Sequence, residues 1–414
     1  MDKRKAAILC AAALTYWVLA LAAGGMLGRT AENTQAPAAA QIGLVQTEAQ
    51  AIQPAAAAGS LSLPCRAAIL IDQTSGTVLY EQNADQQVPI ASITKVMTLL
   101  LTFEAIHAGK ASYTDMVPVS EHAYNMGGSQ IWLEPGETMT LDDMLKAICV
   151  SSANDAAVAV AEYIGGSEPA FVAEMNARAA ALGMTNTTFQ NACGLDEVGH
   201  LSTARDVATM SRQILTECPE VLQYTGIWTD SLRGGQTQLV NTNKLLKHYN
   251  GITGLKTGTT GGAGVCLSAS AARDGLSLIA VVLGAPSSQD RFSAAASLLD
   301  YGFAHYEAAA LPALENAPLE VAVRGGSQAA VGLDYTALPA SLLLEKGQSG
   351  ALTARLDLPG QVDAPVTAGT ALGSVQVYSG ETLLGEYPVC AAQTVERLDF
   401  GSALRLLAGR LTAA

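Results

Sequence analysis

A helix that is apolar on nearly every side sets the strongest limit on how this chain can fold. The segment begins at Ser92-Ile93-Thr94-Lys95, and its apolar residues are Ile93, Val96, Met97, Leu100, Phe103 and Ile106. A surface helix has one apolar stripe, whereas apolar residues on most sides are typical of a helix enclosed by other elements. The sequence therefore predicts a central helix inside a substantial core.

Short β-rich runs lie on both sides of a helical segment in the sequence. The predicted strands are 67–72, 77–80, 254–258, 264–271 and 276–283. The first two flank a turn and predict a hairpin, and the last three predict an antiparallel sheet. The other predicted helices are 141–150, 154–164, 171–182 and 291–303. A sheet built from both ends of a segment with helices between them indicates an α+β domain, which we place at residues 61–306.

The composition changes beyond about Leu311, where short runs of Val, Leu, Thr and Gly are separated by Pro and Gly. The predicted strands there are 319–323, 351–358, 371–378 and 382–389. This pattern predicts a small all-β sandwich domain at residues 311–395. The last segment, 398–414, has apolar residues at helical spacing, namely Phe400, Leu404, Leu407 and Leu411. Two interpretations stay open for it: a terminal helix docked on its own domain, or an amphipathic helix lying on a membrane surface.

The N-terminus has the pattern of an export signal. A basic start, MDKRK, precedes an uncharged apolar run from Ala6 to Gly28 that ends in small residues. The run is also long enough to span a bilayer, so residues 1–30 are a signal peptide or a membrane anchor, with cleavage favoured. Residues 31–60, rich in Ala, Gln and Pro, predict a flexible linker. Because basic residues precede the apolar run, the remainder of the chain is expected outside the cytoplasm.

Charge and cysteine content exclude several classes of function. A net charge of −14 without a basic patch argues against nucleic acid as a partner, because phosphate binding needs clustered Lys and Arg. The seven cysteines lack the short paired spacing of a zinc site, so we predict no metal and no cofactor. Outside the leader, six cysteines remain; buried thiols are favoured over disulfides, whose connectivity a sequence cannot give.

Ser92 and Lys95 form the first candidate catalytic pair. Their spacing of three places Ser Oγ and Lys Nζ on one helical face, within reach of one another. A serine hydroxyl needs a base to become a nucleophile, and a lysine serves as that base once burial lowers its pKa and it loses its proton. A capping serine beside a surface lysine is the structural alternative, and the strongly apolar helix disfavours it.

Two further motifs follow in the order that acyl-transfer chemistry requires. Ser152-Ala153-Asn154 lies at the break between two predicted helices, where its side chains can point into a cleft. Lys256-Thr257-Gly258 lies in a predicted strand, where Gly258 leaves space for a ligand along the strand. Each motif alone is explained by capping or by an ordinary turn. Together with Ser92 and Lys95 they match the signature of penicilloyl-serine transferases.

From about Ser60 to Phe303 the chain resembles the low-molecular-mass penicillin-binding proteins that are serine-type D-alanyl-D-alanine carboxypeptidases. Further matching segments are Ile71-Asp72, Gly76, residues 152–156, Phe171 with Met175-Asn176, Leu182-Gly183-Met184, Gly194-Leu195-Asp196, residues 202–206, Asn241 with residues 243–246, and residues 254–258. The resemblance implies a transpeptidase-like fold, an antiparallel sheet with a helical cluster, followed by a small β-sandwich. The C-terminal part matches more weakly.

The resemblance implies a role for each motif residue. Ser92 is the acylated nucleophile, Lys95 its base, and Ser152 with Asn154 lines the opposite wall of the cleft. Lys256, Thr257 and Gly258 bind the substrate carboxylate, and Arg291 lies where the family often has an arginine near that group. The implied partners are peptidoglycan stem peptides and, as covalent inhibitors, β-lactams, at the outer face of a bacterial membrane.

Several different activities remain compatible with these motifs. A β-lactamase shares two of the motifs but needs a glutamate that positions water, and no E-x-x-L-N segment lies between Ser152 and Lys256. A D,D-endopeptidase or transpeptidase would use the same residues, and a catalytically dead cell-wall scaffold would keep the same fold. His200 and His248 are interpreted as surface histidines, since the chemistry needs no triad.

Overall fold

The computed structural model describes residues 61–314 and 316–401. The predicted signal peptide or anchor at 1–30, the linker at 31–60 and residues 402–414 of the predicted terminal helix lie outside the described residues. Within the described part, no helix is both long enough and apolar enough to cross a membrane.

The strands, in chain order, are β1 (Ala67–Asp72), β2 (Val78–Gln82), β3 (Met116–Pro118), β4 (Thr138–Thr140), β5 (Thr229–Leu232), β6 (Thr237–Val240), β7 (Ile252–Thr260), β8 (Gly264–Arg273), β9 (Leu276–Ala285), β10 (Tyr306–Ala310), β11 (Glu320–Arg324), β12 (Ala330–Asp334), β13 (Ser341–Glu345), β14 (Leu352–Asp357), β15 (Gln361–Asp363), β16 (Ala371–Ser379) and β17 (Thr382–Ala391). The α-helices are α1 (Lys95–His107), α2 (Glu121–Tyr124), α3 (Leu141–Val150), α4 (Asn154–Gly165), α5 (Glu168–Ala181), α6 (Ala204–Glu217), α7 (Leu222–Thr225), α8 (Leu245–His248) and α9 (Ser288–His305).

The central sheet has five antiparallel strands in the order β2-β1-β9-β8-β7. Successive side chains of a strand point to opposite faces, and here both faces are covered. Ile69 and Ile71 pack into the core on the helical side, whereas Ala68 and Leu70 pack into the core that contains α9. Burial on both faces explains why β1, β8 and β9 read as nearly continuous apolar runs.

Helix α1 lies in the middle of the helical cluster, as its sequence predicts. Val96, Met97, Leu100 and Phe103 are fully buried, and α1 contacts α4, α5 and α6. Its N-terminus reaches the sheet, because the 3-10 turn Ala91–Thr94 that precedes it packs against β7 and β8. This placement brings Ser92 to the edge strand that carries Lys256.

Helix α6 is an element that the sequence analysis did not predict. It packs against α1, β1 and β9 and closes one side of the cluster. Its start is capped by the Thr203 side chain, which accepts a hydrogen bond from the Asp206 N–H at 3.1 Å. Thr203 and Asp206 at this spacing are a helix-start signal that the sequence offered.

Beyond α9 the chain is built from β-strands, as predicted. The six-stranded sheet has the order β14-β16-β17-β12-β11-β15, and β10 pairs with β13 in a separate two-stranded sheet. Two small apolar clusters fill this part of the chain. The sequence analysis did not predict β10, β12, β13 and β15, which have at most five residues each and too few alternations to show a period of two.

Candidate active site

Ser92 lies in a tightly packed turn at the start of α1. Ala91 adopts a φ of 51°, an uncommon backbone conformation for a residue other than glycine. Two glycines make this packing possible. A Cβ at Gly258 would lie 2.7 Å from the Ile90 carbonyl oxygen and 3.1 Å from the Ser92 nitrogen, and a Cβ at Gly194 would overlap the Ala91 carbonyl. The backbone around Ser92 is therefore held by β7 on one side and by the loop containing Gly194 on the other.

Lys95 lies one helical turn after Ser92, with its amine next to the serine hydroxyl. The Nζ atom is 3.0 Å from Ser92 Oγ, 2.5 Å from Asn154 Oδ1 and 2.7 Å from the Cys193 carbonyl oxygen. A neutral amine has two N–H donors and one lone pair. Asn154 and Cys193 can accept both N–H groups, which leaves the lone pair directed at Ser92.

Burial favours this neutral form of Lys95. The side chain is 0% exposed, and its desolvation lowers the Lys95 pKa from 10.5 to about 8. The Asp155 carboxylate acts in the opposite direction. With a pKa near 8, Lys95 is neutral in about a tenth of the molecules at pH 7.

Ser152 and Asn154 lie at the break between α3 and α4, as predicted. Ser152 has a φ of 64°, so the chain turns sharply and interrupts the helix. Asn154 is held from both sides, since its Nδ2 donates to the Gly127 carbonyl at 2.6 Å and its backbone N–H donates to the Ser129 carbonyl at 2.7 Å. The amide oxygen is thereby fixed toward Lys95.

Lys256 extends from β7 to the opposite wall of the cleft. Its Nζ donates to Ser152 Oγ at 2.8 Å and to the Thr257 carbonyl at 2.9 Å. The side chain is 1% exposed, and burial together with the nearby Lys95 amine lowers the Lys256 pKa well below its ordinary value. Thr257 Oγ1 lies 2.6 Å from Thr242 Oγ1. The motifs therefore supply two hydrogen-bonded pairs. Ser92 and Lys95 pair within the first motif, and Ser152 of the second motif pairs with Lys256 of the third.

Arg291 lies behind β7 near the start of α9. Its Nη1 donates to the carbonyl oxygens of Gly258 at 3.0 Å and Cys266 at 3.2 Å, and to Thr259 Oγ1 at 3.1 Å. Burial lowers the Arg291 pKa, and its Nε has no hydrogen-bond partner within the described residues. These contacts place a positive charge against the strand segment that follows Lys256. Direct contact of Arg291 with a substrate carboxylate stays a prediction.

One of the two histidine interpretations is wrong. His248 is exposed, as expected, but His200 is 3% exposed and packs edge-on against Phe189. Its Nδ1 accepts from the Gln190 N–H at 3.2 Å, so its Nε2 donates to Thr94 Oγ1 at 2.7 Å. Burial lowers the His200 pKa from 6.5 to about 4 and keeps the ring neutral. His200 thus supports the turn that carries Ser92.

The expectation of free thiols is confirmed for the described cysteines. Cys149, Cys193, Cys218 and Cys266 are buried, and Cys65 and Cys390 are partly buried. Desolvation raises the Cys149 pKa to about 12, so this thiol stays protonated.

The sequence analysis missed several groups that shape the site. The Cys193 carbonyl and Thr242 act through a backbone atom and a neighbouring hydroxyl, so no residue pattern points to them. The Asp155 carboxylate accepts the backbone N–H groups of Ile131 and Leu133, both at 3.1 Å, and so holds the loop next to Asn154. Asp155 lies in the segment 152–156, which matches the family in sequence, and that match is the signal that could have pointed to it.

The arrangement of these groups fits acyl transfer to a serine. A buried amine next to a hydroxyl at a helix N-terminus supplies a nucleophile, its base and a positive helix end for developing negative charge. Lys256 and Thr257 on the edge strand offer donors to an anionic group of a ligand. Amines, hydroxyls and an amide around Ser92 suit an anionic peptide better than a metal ion.

Family models match both parts of the chain. One, described as D-alanyl-D-alanine carboxypeptidase, matches residues 51–287, and another, described as the C-terminal domain of penicillin-binding protein 5, matches residues 315–397. D-alanyl-D-alanine carboxypeptidase DacF of Bacillus subtilis is 40% identical over 356 residues, 85% of this chain and 91% of the relative. DacC of Escherichia coli is 35% identical, covering 82% of this chain and 86% of the relative.

Solved structures share the same architecture. Penicillin-binding protein 5 from Haemophilus influenzae is 29% identical with a TM-score of 0.71, over 82% of this chain and 99% of that one. Penicillin-binding protein D2 from Listeria monocytogenes, solved in an ampicillin-bound form, is 35% identical with a TM-score of 0.55, over 59% of this chain and all of the other, 100%. The predicted transpeptidase-like fold with a C-terminal β-sheet domain is confirmed.

Proposed function

This chain belongs to the D-alanyl-D-alanine carboxypeptidase family, and from that premise we propose that it removes the terminal D-alanine of peptidoglycan pentapeptide stems through an acyl-enzyme on Ser92. The observation that carries this proposal is the 3.0 Å contact between Lys95 Nζ and Ser92 Oγ, with the amine fully buried. A protonated lysine at the surface could not accept the proton of the serine hydroxyl. A desolvated lysine there is a general base.

In the acylation step, Ser92 Oγ attacks the carbonyl carbon of the penultimate D-alanine and its proton passes to Lys95 Nζ. The bond from that carbon to the nitrogen of the terminal D-alanine then breaks. The leaving nitrogen takes a proton from the Ser152 hydroxyl, which Lys256 holds in place at 2.8 Å. The proton that Lys95 took from Ser92 then restores the Ser152 hydroxyl, so Lys95 is neutral again for the second step. The products of this step are free D-alanine and an ester on Ser92.

The charge that develops on the carbonyl oxygen needs donors close to Ser92. The backbone N–H of Ser92 and an N–H of β7 after Lys256 are suited to this role, because Gly258 lets β7 approach the Ser92 nitrogen closely. Lys256 and Thr257 bind the terminal carboxylate of the substrate. Arg291 supports the same strand from behind through the Gly258 carbonyl.

In the second step water attacks the ester and Ser92 is regenerated. Departure of D-alanine opens space beside Ser92, where Lys95 assists the water. With penicillin the leaving group stays tethered and occupies that space. Two buried carboxylates in this region already have partners: Asp155 accepts from Ile131 and Leu133, and Glu168 accepts from the Ala192 N–H. The tethered leaving group and the existing hydrogen bonds of the two carboxylates both support slow release of the penicillin adduct over β-lactamase activity.

The proposed site of action is the outer face of a bacterial membrane, where stem peptides are found. It rests on the basic start and the apolar run of residues 1–30, and on relatives whose names describe D-alanyl-D-alanine carboxypeptidases. We expect β-lactams to be covalent inhibitors, in line with the ampicillin-bound Listeria structure.

Two rates measured on one preparation test the proposal. D-alanine release from diacetyl-Lys-D-Ala-D-Ala should be much faster than loss of label from the penicilloyl-enzyme. Equal rates would instead support a β-lactamase.

Mass spectrometry after incubation with a muramyl pentapeptide distinguishes a carboxypeptidase from a transpeptidase and from an inactive scaffold. Loss of one alanine supports the carboxypeptidase, dimer formation indicates a transpeptidase, and no change would contradict the proposal. A cross-linked dimeric stem peptide tests for endopeptidase activity in the same way.

A further inference from the structure

Three metal-ligating side chains meet at the end of α1 that is remote from Ser92. His107 is the last residue of α1, Cys218 follows the last residue of α6, and Glu220 lies in the 3-10 turn Pro219–Val221. One ligand atom from each residue lies within 4.8 Å of the other two. Helix α1 has 13 residues, so at 1.5 Å per residue this cluster lies about 18 Å along the helix from Lys95.

The chemistry of the three groups matches a zinc-class ion. A thiolate, an imidazole and a carboxylate are the three ligand types that zinc takes from proteins. Ideal tetrahedral bonds would place such ligand atoms about 3.3–3.6 Å apart. In the structure His107 Nε2 and Glu220 Oε1 are 2.6 Å apart in a hydrogen bond. To hold an ion, that pair must open by under about 1 Å, and the Cys218 thiol, which lies within 4.8 Å of both atoms, must come closer.

The charges around the three residues favour a cation, and the site is accessible from solvent. The charges that act on the Cys218 thiol include three carboxylates, those of Glu104, Glu217 and Glu220, opposed by Arg178. Arg178 is itself paired with Glu104 at 2.7 Å. Cys218 is buried, whereas the His107 side chain is 49% exposed, so an ion can enter from the solvent side.

We propose that His107, Cys218 and Glu220 bind one divalent transition-metal ion of the zinc class, with water as the fourth ligand. Binding forms bonds from the metal to Sγ, Nε2 and a carboxylate oxygen. The thiol proton is released to solvent, and the proton on His107 Nε2 moves to Nδ1 or is released. No electron is transferred. The ion would join the end of α1 to the end of α6, two helices of the central cluster.

The sequence predicts no metal because its cysteines lack the short paired spacing of a zinc site. Glu220 is 113 residues from His107 in the sequence, and the cluster contains a single cysteine. Only the fold brings the three residues together.

The experiment uses the full chain, purified without a histidine tag. Equilibrium dialysis against Zn²⁺ should leave one ion per chain, and Zn²⁺ should raise the thermal unfolding midpoint. Co²⁺ should give the near-ultraviolet charge-transfer absorption of a cobalt–thiolate bond. His107→Ala and Glu220→Gln should each weaken Zn²⁺ binding at least about 10-fold, the loss expected when a group that a site depends on is removed. Cys218→Ser should abolish the charge-transfer absorption.

A matched control comes from a second histidine–glutamate pair. His122 Nε2 lies 2.6 Å from Glu168 Oε2 with a 52% exposed histidine side chain, and the described residues supply no third metal ligand there. His122→Ala should leave Zn²⁺ binding unchanged, as should Cys65→Ser. A chain that retains no Zn²⁺ after dialysis, or whose binding is the same with and without His107, would overturn the proposal. Penicillin labelling of Ser92 is a separate readout and is expected in all of these variants.

Discussion

The Nζ atom of Lys95 lies 2.5 Å from Oδ1 of Asn154, so a neutral amide accepts from the amine that must lose its proton. A carboxylate at the same position would stabilise the ammonium form instead. Full burial lowers the Lys95 pKa to about 8, and the amide adds no negative charge that would raise it again. This contact connects the Ser152-Ala153-Asn154 motif to the protonation state of the proposed base, Lys95.

The pH dependence of acylation follows from that contact. For the native chain, the second-order rate of penicillin acylation should rise with pH and level off above an apparent pKa near 8, because only neutral Lys95 is a base. Asn154→Asp should move this limb upward by about 1–3 units, the effect of an adjacent opposite charge. Stopped-flow measurements across neutral and alkaline pH check it. Asn154→Ala controls for loss of the amide, and an unshifted limb in Asn154→Asp would contradict the assignment.

The packing of Gly194 against Ala91 predicts a large effect from one methyl group. Gly194→Ala should reduce acylation about 100-fold or more, the cost of misplacing a reacting group by about 1 Å, since the new Cβ would displace the turn that carries Ser92. Gly109→Ala is the matched control, because Gly109 also has a positive φ, 68°, but has open space around its Cβ position. If Gly109→Ala slows penicillin labelling as much as Gly194→Ala does, backbone strain and not the contact with Ala91 decides the outcome.

Buried His200 predicts a loss of stability in acid. Its pKa falls from 6.5 to about 4 on folding, so the unfolded chain binds the proton more tightly. Stability should therefore decrease as the pH falls from 6.5 to about 4, by up to about 3 kcal/mol from this residue. Urea unfolding at neutral pH and at successively lower pH should show a smaller decrease for His200→Gln than for the native chain. The exposed His248→Ala variant should keep the native pH dependence; an equal slope in all three would refute the role of His200.

The motifs in the sequence indicate which residue types take part in the chemistry, whereas the distances between the motifs are set by the fold. The spacing of Ser92 and Lys95 on one helix was enough to predict their contact, because the geometry of one turn is local. The contact of Lys256 with Ser152 joins residues 104 apart, so the sequence supplied its members through a resemblance and not through geometry.

Other parts of the site could not be predicted from residue types. The Cys193 carbonyl accepts from Lys95 through its backbone, which any residue provides. The sequence places His200 at the surface because a lone histidine has no pattern that reveals burial, and its partner Thr94 lies 106 residues away. The short strands β12 and β15 are defined by pairing with other strands and not by their own sequence.

The domain boundary is tested by truncation. A chain that ends at Tyr306 should stay folded and keep acylating penicillin, because the Tyr306 side chain is 2% exposed and packs into the core beside Leu298. A chain that ends at Gly302 loses that side chain and should unfold at a lower temperature. Thermal unfolding with penicillin labelling measures both. Loss of folding in the longer truncation would move the boundary into the C-terminal strands.

Peptide mapping of the penicillin adduct tests the acyl-enzyme most directly. After incubation with benzylpenicillin and digestion, mass spectrometry should locate one penicilloyl group on Ser92. Lys95→Ala should label about 10²–10⁴-fold more slowly, the usual contribution of a general base. An adduct on another residue, or labelling at an undiminished rate without Lys95, would contradict the account.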